Sequence, residues 1–174
     1  MKIKALLLIF AAAMLFSVSA EAQSLPRRVR IVEVQDLDAK KARLPWWGEK
    51  NLMIFYVDPE VPKQNHEFVS WIEESKRLAG PNIEGFGIVN LKDSWYPVPN
   101  SVIRQIAESR TAKNGATILC DPDHWLSSAW RLGDCNDKFV IMLVNKAGEL
   151  VYISKGEMSV EEQQRFIEAA DKLR

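Results

Sequence analysis

Residues 139–154 read Phe-Val-Ile-Met-Leu-Val-Asn-Lys-Ala-Gly-Glu-Leu-Val-Tyr-Ile-Ser, and this stretch decides the fold class. Its first six residues are all apolar, which is typical of a strand buried on both faces of a sheet. The next four are turn-forming residues, and a second strand-like run follows at 150–154. The stretch therefore predicts two adjacent antiparallel strands joined by a short turn.

A helix is predicted to follow this hairpin. Ser159 and Glu162 have the spacing of a capping box, in which each side chain accepts a hydrogen bond from the other residue's backbone N–H. The box predicts a last helix over 160–173. Its apolar residues recur at a spacing that lets them face the sheet, namely Phe166, Ile167, Ala170 and Leu173.

Upstream, three more apolar runs predict strands, and each is followed by a helical pattern. The strands are 52–57, 86–91 and 116–120, and the helices are 64–79, 100–111 (Asn100 as N-cap; Val102, Ile103 and Ile106 on one face) and 124–130. An alternating run predicts a further strand at 28–34, and 36–50 predicts a covering loop. This order indicates an α/β fold with a mostly parallel central sheet, ending in an antiparallel hairpin and a C-terminal helix.

The N-terminus has the layout of a secretory signal peptide. Lys2 and Lys4 precede an apolar run of 12 residues at 5–16, and small residues follow. A membrane-spanning helix needs about 20 apolar residues, so this run is too short to be an anchor. We expect a signal peptide at 1–20, with cleavage after Ala22 as the alternative. An N-terminal strand and loop at 21–50 and one domain at 51–174 complete the predicted organisation.

The near-equal numbers of basic and acidic residues argue against one class of partner, nucleic acids. The chain has 174 residues, with 23 Lys+Arg against 23 Asp+Glu. Cleavage after Ala20 would leave a net charge of −2, and cleavage after Ala22 a net charge of −1. Nucleic-acid binders need a dense positive surface, so we expect no nucleic-acid partner. We also expect no stable membrane anchor after cleavage, and a monomer.

Metal and cofactor sites are not indicated by the sequence. Two Cys are too few for a four-cysteine zinc site, and the only two His, His66 and His124, lie far apart in the sequence. The run at 121–124, Asp-Pro-Asp-His, is more typical of a turn that leads into a helix than of a metal site. No phosphate-binding or dinucleotide-binding glycine motif is present in the sequence. We therefore expect neither a metal nor a cofactor.

The predicted order resembles the thioredoxin fold, and the helix and strand at 100–120 resemble an insertion found in peroxiredoxins and membrane-tethered thioredoxins. The segments 130–136, Trp-Arg-Leu-Gly-Asp-Cys-Asn, and 139–163 resemble the YtfJ-like family of exported thioredoxin-like proteins. This resemblance covers about residues 51–173. It implies a thioredoxin-like domain in the periplasm of a Gram-negative cell.

The redox motif of that fold is missing from the sequence. Redox thioredoxins carry Cys-x-x-Cys between the first central strand and the next helix, where the helix N-terminus lowers the pKa of the first thiol. Here 57–64 reads Val-Asp-Pro-Glu-Val-Pro-Lys-Gln, without a cysteine. A peroxiredoxin would also need its reactive cysteine in this region. Dithiol exchange and standard peroxidase chemistry are therefore both contradicted.

Two interpretations of this stretch stay open. In the first, Asp58 caps the following turn, and the prolines at 59 and 62 stiffen it. In the second, the polar side chains line a groove for a ligand or partner at the former redox site. The residues of that predicted groove are Asp58, Glu60, Lys63 and Gln64, together with Cys135.

The two cysteines are Cys120 and Cys135. Cys135 precedes the strand at 139–144, near the expected N-terminus of the first helix, where a thiol can have a lowered pKa. It is the candidate reactive residue. A Cys120–Cys135 disulfide is the disfavoured alternative, because their strands should lie three neighbours apart, about 14 Å. A disulfide needs Cα atoms within about 7 Å.

Aromatic residues cluster at Trp46-Trp47 and at 95–97, Trp-Tyr-Pro. Large rings at the ends of a small sheet usually cover the core, and an exposed patch for a partner is the alternative.

These features predict an exported binding or accessory protein without dithiol activity, with a periplasmic protein as its partner. The alternative is a thiol-dependent enzyme or redox sensor that uses Cys135. The absence of cysteine from 57–64 favours the first hypothesis.

Overall fold

The computed structural model describes residues 24–94 and 98–174. Within these residues, eight strands form one sheet in the order β1-β8-β7-β4-β5-β6-β2-β3. In chain order the elements are β1 Arg27–Arg28, β2 Glu33–Gln35, β3 Lys41–Arg43, β4 Asn51–Val57, α1 His66–Ser75, β5 Ile83–Asn90, α2 Asn100–Asn114, β6 Ile118–Asp121, α3 Trp125–Ala129, β7 Phe139–Val144, β8 Glu149–Lys155 and α4 Val160–Asp171.

The sheet is mixed, which corrects the expectation of a mostly parallel one. Among the described strands, β4 pairs with β5 in parallel and β5 pairs with β6 in parallel, whereas β7 runs antiparallel to both β4 and β8. The reason lies in the connection between β6 and β7. Its helix α3 has five residues, so the chain stays at one edge of the sheet instead of returning along it. Strand β7 therefore starts at the edge where β6 ends.

The central strands are buried on both faces, as their apolar runs predict. In β4, Leu52, Ile54 and Tyr56 pack on one side of the sheet, which we call the α3 face, with Leu126 and Trp130. The opposite side, the α1 face, contains Met53 of β4 together with residues of α1 and α4. Those helix residues are Phe68, Val69, Ile72, Phe166 and Ala170.

The C-terminal hairpin and helix are confirmed. Strands β7 and β8 pair antiparallel, with a register shift beside Val144. The Ser159 hydroxyl accepts from the Glu162 N–H, and the Glu162 carboxylate accepts from the Ser159 N–H, so the capping box is present. Ile167 and Leu173 are half-buried against the α1 face, as their spacing predicts.

The predicted strand at 28–34 is wrong. Its two ends belong to strands on different parts of the sheet, since β1 pairs with β8 and β2 pairs with β6 and β3. The chain between them crosses the sheet and buries Val29 in the core of the α3 face. The predicted loop at 36–50 contains the short strand β3, and its Trp46 and Trp47 are half-buried against that core.

Helix α2 is rotated relative to the prediction. Ile103 and Ala107 are its buried residues, whereas Val102 is 41% exposed and Ile106 is 65% exposed. Asn100 is the first helical residue rather than the N-cap, which is Pro99. The Asn100 Oδ1 atom instead accepts from the Ser94 hydroxyl at 3.3 Å. Helix α1 is shorter than predicted because the backbone turns left-handed at Lys76, where φ is 50°.

Some expectations concern residues outside those that the structure describes. They are the signal peptide at 1–20 and the aromatic cluster at 95–97. Among the described residues, no helix combines the length and the apolar character needed to cross a membrane.

Candidate functional site

Four loops meet at one edge of the sheet. Strands β4, β5 and β6 are parallel and end at this edge, and the antiparallel strand β7 begins there. The loops that follow the first three strands therefore lie beside the loop at 133–138 that precedes β7. This edge is the place where the sequence predicts a ligand groove.

Asp58 follows β4 and is completely buried. Its Oδ1 accepts from the Glu60 N–H at 2.9 Å, and its Oδ2 accepts from the Asp137 N–H at 2.8 Å. The Asp58 N–H donates to the Lys138 carbonyl at 3.2 Å. Burial raises the pKa of this carboxyl, although the two backbone N–H donors oppose the shift. Asp58 therefore links the end of β4 to the start of β7.

Gln64 makes a second link between the same two loops. Its Oε1 accepts from the Phe139 N–H at 2.9 Å, and its Nε2 donates to the Asp137 carbonyl at 3.2 Å. The amide thus uses both of its polar atoms inside the protein. The stretch 58–64 is consequently held against the start of β7 by side chains as well as by backbone.

Asn65 continues this attachment on the side of β8. Its Nδ2 donates to the Gly156 carbonyl at 2.8 Å, and its Oδ1 accepts from the Met158 N–H at 2.8 Å. The backbone of Asn65 is left-handed, with φ of 58°, which asparagine tolerates better than most residues. The segment before α1 is therefore fixed at both of its ends.

The structure separates the five residues of the predicted groove. Asp58 and Gln64 contact the backbone of the neighbouring loop, whereas Glu60 and Lys63 are exposed. Cys135 is buried on the α3 face, opposite the face on which α1 packs. The edge therefore presents Glu60 and Lys63 to solvent and keeps the other three inside.

A cleft of about 480 Å³ lies next to Cys135. The loops after β5 and β6 form one wall, and the end of α3 with the segment 131–135 forms the other. Its lining residues are Asp93, His124, Ser127, Ser128, Arg131, Gly133, Asp134 and Cys135. The cleft combines acidic, basic and hydroxyl groups with a thiol at its wall.

Cys135 is only 3% exposed. It packs with Leu126, Trp130 and Leu132, and its Sγ lies 3.5 Å from the Gly133 carbonyl oxygen. Burial raises the pKa of the Cys135 thiol to about 11, against the weaker opposing effect of the Lys155 charge. The expectation of a lowered pKa is therefore wrong in direction, because burial disfavours the thiolate.

Cys120 lies in a different part of the core. It is completely buried beside Leu91 and Ile103, and burial raises the pKa of its thiol to about 11. Both thiols are free in the structure. Strand β6, which carries Cys120, is three positions from β7 in the sheet, and the predicted spacing of the strands is confirmed.

Sequence reasoning missed Asp93, which lines this cleft, and Asn90, which donates a hydrogen bond to Asp93. The Asn90 Nδ2 donates to the Asp93 carboxylate at 2.6 Å, while the buried Asn90 Oδ1 has no hydrogen-bond partner among the described residues. The His124 Nε2 lies 2.8 Å from the other Asp93 oxygen, within ion-pair distance, although it forms no hydrogen bond among the described residues. A polar residue that ends an otherwise apolar strand was the available signal.

Asp121 has the turn role that the sequence predicts. It is completely buried, and its carboxylate accepts from the backbone N–H groups of Trp125 at 2.7 Å and Leu126 at 3.0 Å. The Tyr56 hydroxyl donates to the same carboxylate at 3.1 Å. Asp121 therefore stabilises the first turn of α3. In the described part of the chain, no three metal-ligating side chains cluster.

The cleft contains a serine near a histidine, Ser127 and His124. The Ser127 hydroxyl lies 3.5 Å from the His124 carbonyl oxygen, and among the described residues it forms no hydrogen bond with the imidazole. A serine nucleophile needs a base within hydrogen-bond reach, and His124 is not placed as one.

Comparison with known proteins identifies the fold. A DsbF homologue from Corynebacterium diphtheriae aligns over 87% of this chain and 89% of its own, with a TM-score of 0.62 and 14% identity. The fold is thioredoxin-like. The exposed lipoprotein thioredoxin of Streptococcus pneumoniae aligns over 83% of this chain and all of its own (TM-score 0.56, 16% identity). A peroxiredoxin-like protein from Aquifex aeolicus aligns over 86% of both chains (TM-score 0.57, 12% identity).

Comparison of the amino-acid sequence itself with known families and curated proteins finds no match. The thioredoxin-like assignment therefore rests on the three-dimensional arrangement of the strands and helices.

Proposed function

We propose that this chain is an exported thioredoxin-like binding or accessory protein that does not carry out dithiol exchange. The observation that carries the proposal is the structure of residues 58–64. The stretch that holds the two thiols in redox thioredoxins here contains Asp58 and Gln64, whose side chains attach it to the start of β7. The polar groups at this position support the architecture of the site and supply no thiol.

The two cysteines support the same proposal. Each is buried, each has a pKa raised to about 11, and they belong to separate core clusters. At neutral pH a thiol with such a pKa is almost entirely protonated, and only the thiolate attacks a disulfide. Dithiol exchange would therefore require the core of the α3 face to open first.

We assign to the partner the edge of the sheet at which the four loops meet, and we call it the site edge. Glu60 and Lys63 are exposed there, and the cleft lined by Asp93, His124 and Cys135 opens nearby on the same edge of the sheet. In keeping with the resemblance to the YtfJ-like family, we place the protein in the periplasm as a monomer that binds another periplasmic protein. Its near-neutral charge after cleavage gives it no general attraction for nucleic acid.

A second candidate function is a thiol-dependent enzyme or sensor that uses Cys135. The observation in its favour is that Cys135 forms part of the wall of the cleft, so a small opening motion would expose its sulfur. The positive charge of Lys155 would then stabilise the thiolate.

Insulin reduction and peroxide reduction distinguish the two candidates. We would compare the wild type, Cys135→Ala and Cys120→Ala, with an active thioredoxin as the positive control. The proposed function predicts no turnover by any of the three chains. It also predicts that a pull-down from the periplasm recovers a stoichiometric partner. The double variant Glu60→Lys with Lys63→Glu should recover less of this partner. Turnover that disappears in Cys135→Ala alone would contradict the proposal and support the sensor.

A further inference from the structure

A second and larger depression adjoins the cleft and shares Arg131 with it. Its volume is about 1100 Å³, and it is lined by the segment 24–31, the turn between β7 and β8, and the end of α3. Five of its lining residues are basic, and we call this surface the arginine groove. They are Arg27, Arg28, Arg30, Arg131 and Lys146. None of the described lining residues is acidic.

The local charge differs from that of the whole chain. Lys+Arg and Asp+Glu are equal in number over the sequence, yet the arginine groove gathers five positive charges without a negative one. Within residues 24–94 and 98–174, none of the five forms an ion pair with a carboxylate. Elsewhere in the same structure arginines do pair, as Arg77 does with Asp171 at 2.7 Å. The groove thus concentrates cations that have no carboxylate within ion-pair distance among the described residues.

The like charges are held close to one another. The pKa of Arg27 is lowered, first by burial and second by the charge of Arg131. Such mutual repulsion costs free energy that a bound anion would recover. Arg27 is half-buried, which restricts the movement of its side chain, whereas Arg28, Arg30 and Arg131 are exposed.

The backbone on both sides of the groove is fixed, which limits that movement. Arg27 and Arg28 pair with β8 across Leu150 and Glu149. The Val29 N–H donates to the Gly148 carbonyl at 2.9 Å. The groove is therefore organised before a ligand arrives, which lowers the entropy lost on binding.

Two further contacts fix the middle of the groove. The Trp130 indole donates to the Arg30 carbonyl at 2.8 Å, so this crossing segment is attached to the core. Arg131 is held in a left-handed conformation, with φ of 49°, by the bond from the Leu132 N–H to the Ser127 carbonyl at 2.8 Å. An arginine in this conformation is uncommon, since glycine occupies it at lower cost.

We propose that the arginine groove binds a compact ligand that carries two or more phosphate groups. Guanidinium groups present paired N–H donors that match the oxygens of phosphate, and several guanidiniums together favour several phosphates. Trp47 contributes an apolar wall beside the cations, on which the remainder of such a ligand can pack. The phosphates belong either to a soluble phosphate ester or to the headgroups of a lipid surface. The proposal does not depend on the absence of dithiol exchange.

Isothermal titration with tripolyphosphate and with inorganic phosphate tests the proposal on the protein purified with its natural N-terminal processing. We expect tripolyphosphate to bind and inorganic phosphate to bind far more weakly. Arg27→Gln with Arg131→Gln should weaken binding by about tenfold or more, because two charged donors are lost. Arg27→Lys with Arg131→Lys should give an intermediate loss, since charge is kept but the paired donors are not.

Matched controls keep this test independent of folding and of general charge. Lys113→Gln with Lys172→Gln removes the same charge from exposed positions outside the groove, and binding should be unchanged. Thermal unfolding of each variant shows whether it is folded. Co-sedimentation with vesicles of phosphatidylglycerol, against vesicles of phosphatidylcholine, tests the lipid source with the same variants. The proposal is overturned if neither tripolyphosphate nor the phosphatidylglycerol vesicles bind. It is also overturned if Lys113→Gln with Lys172→Gln loses as much binding as Arg27→Gln with Arg131→Gln.

Discussion

At the scale of single residues, Asp58 is an acidic side chain with a structural role at the end of β4. Its carboxylate is buried and joins two loops through the Glu60 and Asp137 N–H groups. Because burial raises its pKa, the native protein holds the proton more tightly than the unfolded chain does. Ionisation therefore lowers the stability of the native state relative to the unfolded one.

The variant Asp58→Asn tests whether ionisation of Asp58 lowers the stability of the native state. In the wild type, the contribution of Asp58 to the free energy of unfolding should fall as pH rises from about 4, the ordinary pKa, through the raised native pKa. The variant does not titrate at this position, so its stability should lack that fall. Urea unfolding of both chains at a series of pH values measures the difference. A wild type that gains stability over the variant with rising pH would show that the pKa is lowered instead.

Cys135 is a packing residue in this account. Cys135→Ala removes the sulfur from the core cluster that also contains Leu126, Trp130 and Leu132, and we expect a loss of about 1–2 kcal/mol in the free energy of unfolding. Cys120→Ala, the matched control from the other core cluster, should cost a similar amount. Urea denaturation measures both. An unchanged stability of Cys135→Ala would mean that its sulfur is not packed in the native core.

At the scale of elements, the short helix α3 depends on the residue that precedes it. Five residues are too few for an independently stable helix, so the buried Asp121 carboxylate must satisfy its first N–H groups. The same carboxylate accepts from the Tyr56 hydroxyl. The start of α3 is thereby connected to the central strand β4.

Asp121→Ala should accordingly lower the free energy of unfolding by about 2–4 kcal/mol, because buried donors lose their acceptor. Tyr56→Phe removes one donor and should cost about 1 kcal/mol. The double variant should cost less than the sum of the two, since both changes remove the same hydrogen bond. Chemical denaturation of the three chains provides the numbers. Additive losses would show that Tyr56 and Asp121 are not coupled.

The elements differ in how far the sequence predicts them. Strand β7 and helix α4 follow from local signals, a wholly apolar run and a capping box, and both are confirmed. The predicted strand at 28–34 is not confirmed, because the chain pairs with β8 near the start of this stretch and with β6 near its end. Helix α2 is rotated because its apolar residues are few and a small one, Ala107, takes a buried position.

The site is less predictable than the fold for a related reason. Asp121 is recognisable because the two backbone N–H groups that it accepts from lie within five residues, although its third partner, Tyr56, is distant in the sequence. Asp58 and Gln64 bond to residues more than 70 positions away, so local patterns do not distinguish a structural role from a ligand-binding one. The arginine groove likewise combines residues from four separate segments of the chain, around positions 24–31, 47, 129–131 and 146–148.

At the scale of the whole molecule, the sheet separates the parts that a redox thioredoxin brings together. Helix α1 packs on one face, Cys135 lies on the other, and Cys120 lies three strands away from β7. A scaffold of thioredoxin type is thus retained while its thiols are placed in the core. We propose that this arrangement excludes dithiol exchange in the native state.

Mass measurement of the intact protein across glutathione buffers, from reducing to oxidising, tests this claim most directly. Samples are alkylated either in the native state or after denaturation. We expect samples alkylated in the native state to carry neither an alkyl group nor glutathione in any of the buffers. Samples alkylated after denaturation should carry two alkyl groups, one on each cysteine. A native species with an intramolecular disulfide, or with glutathione attached to Cys135, would contradict it.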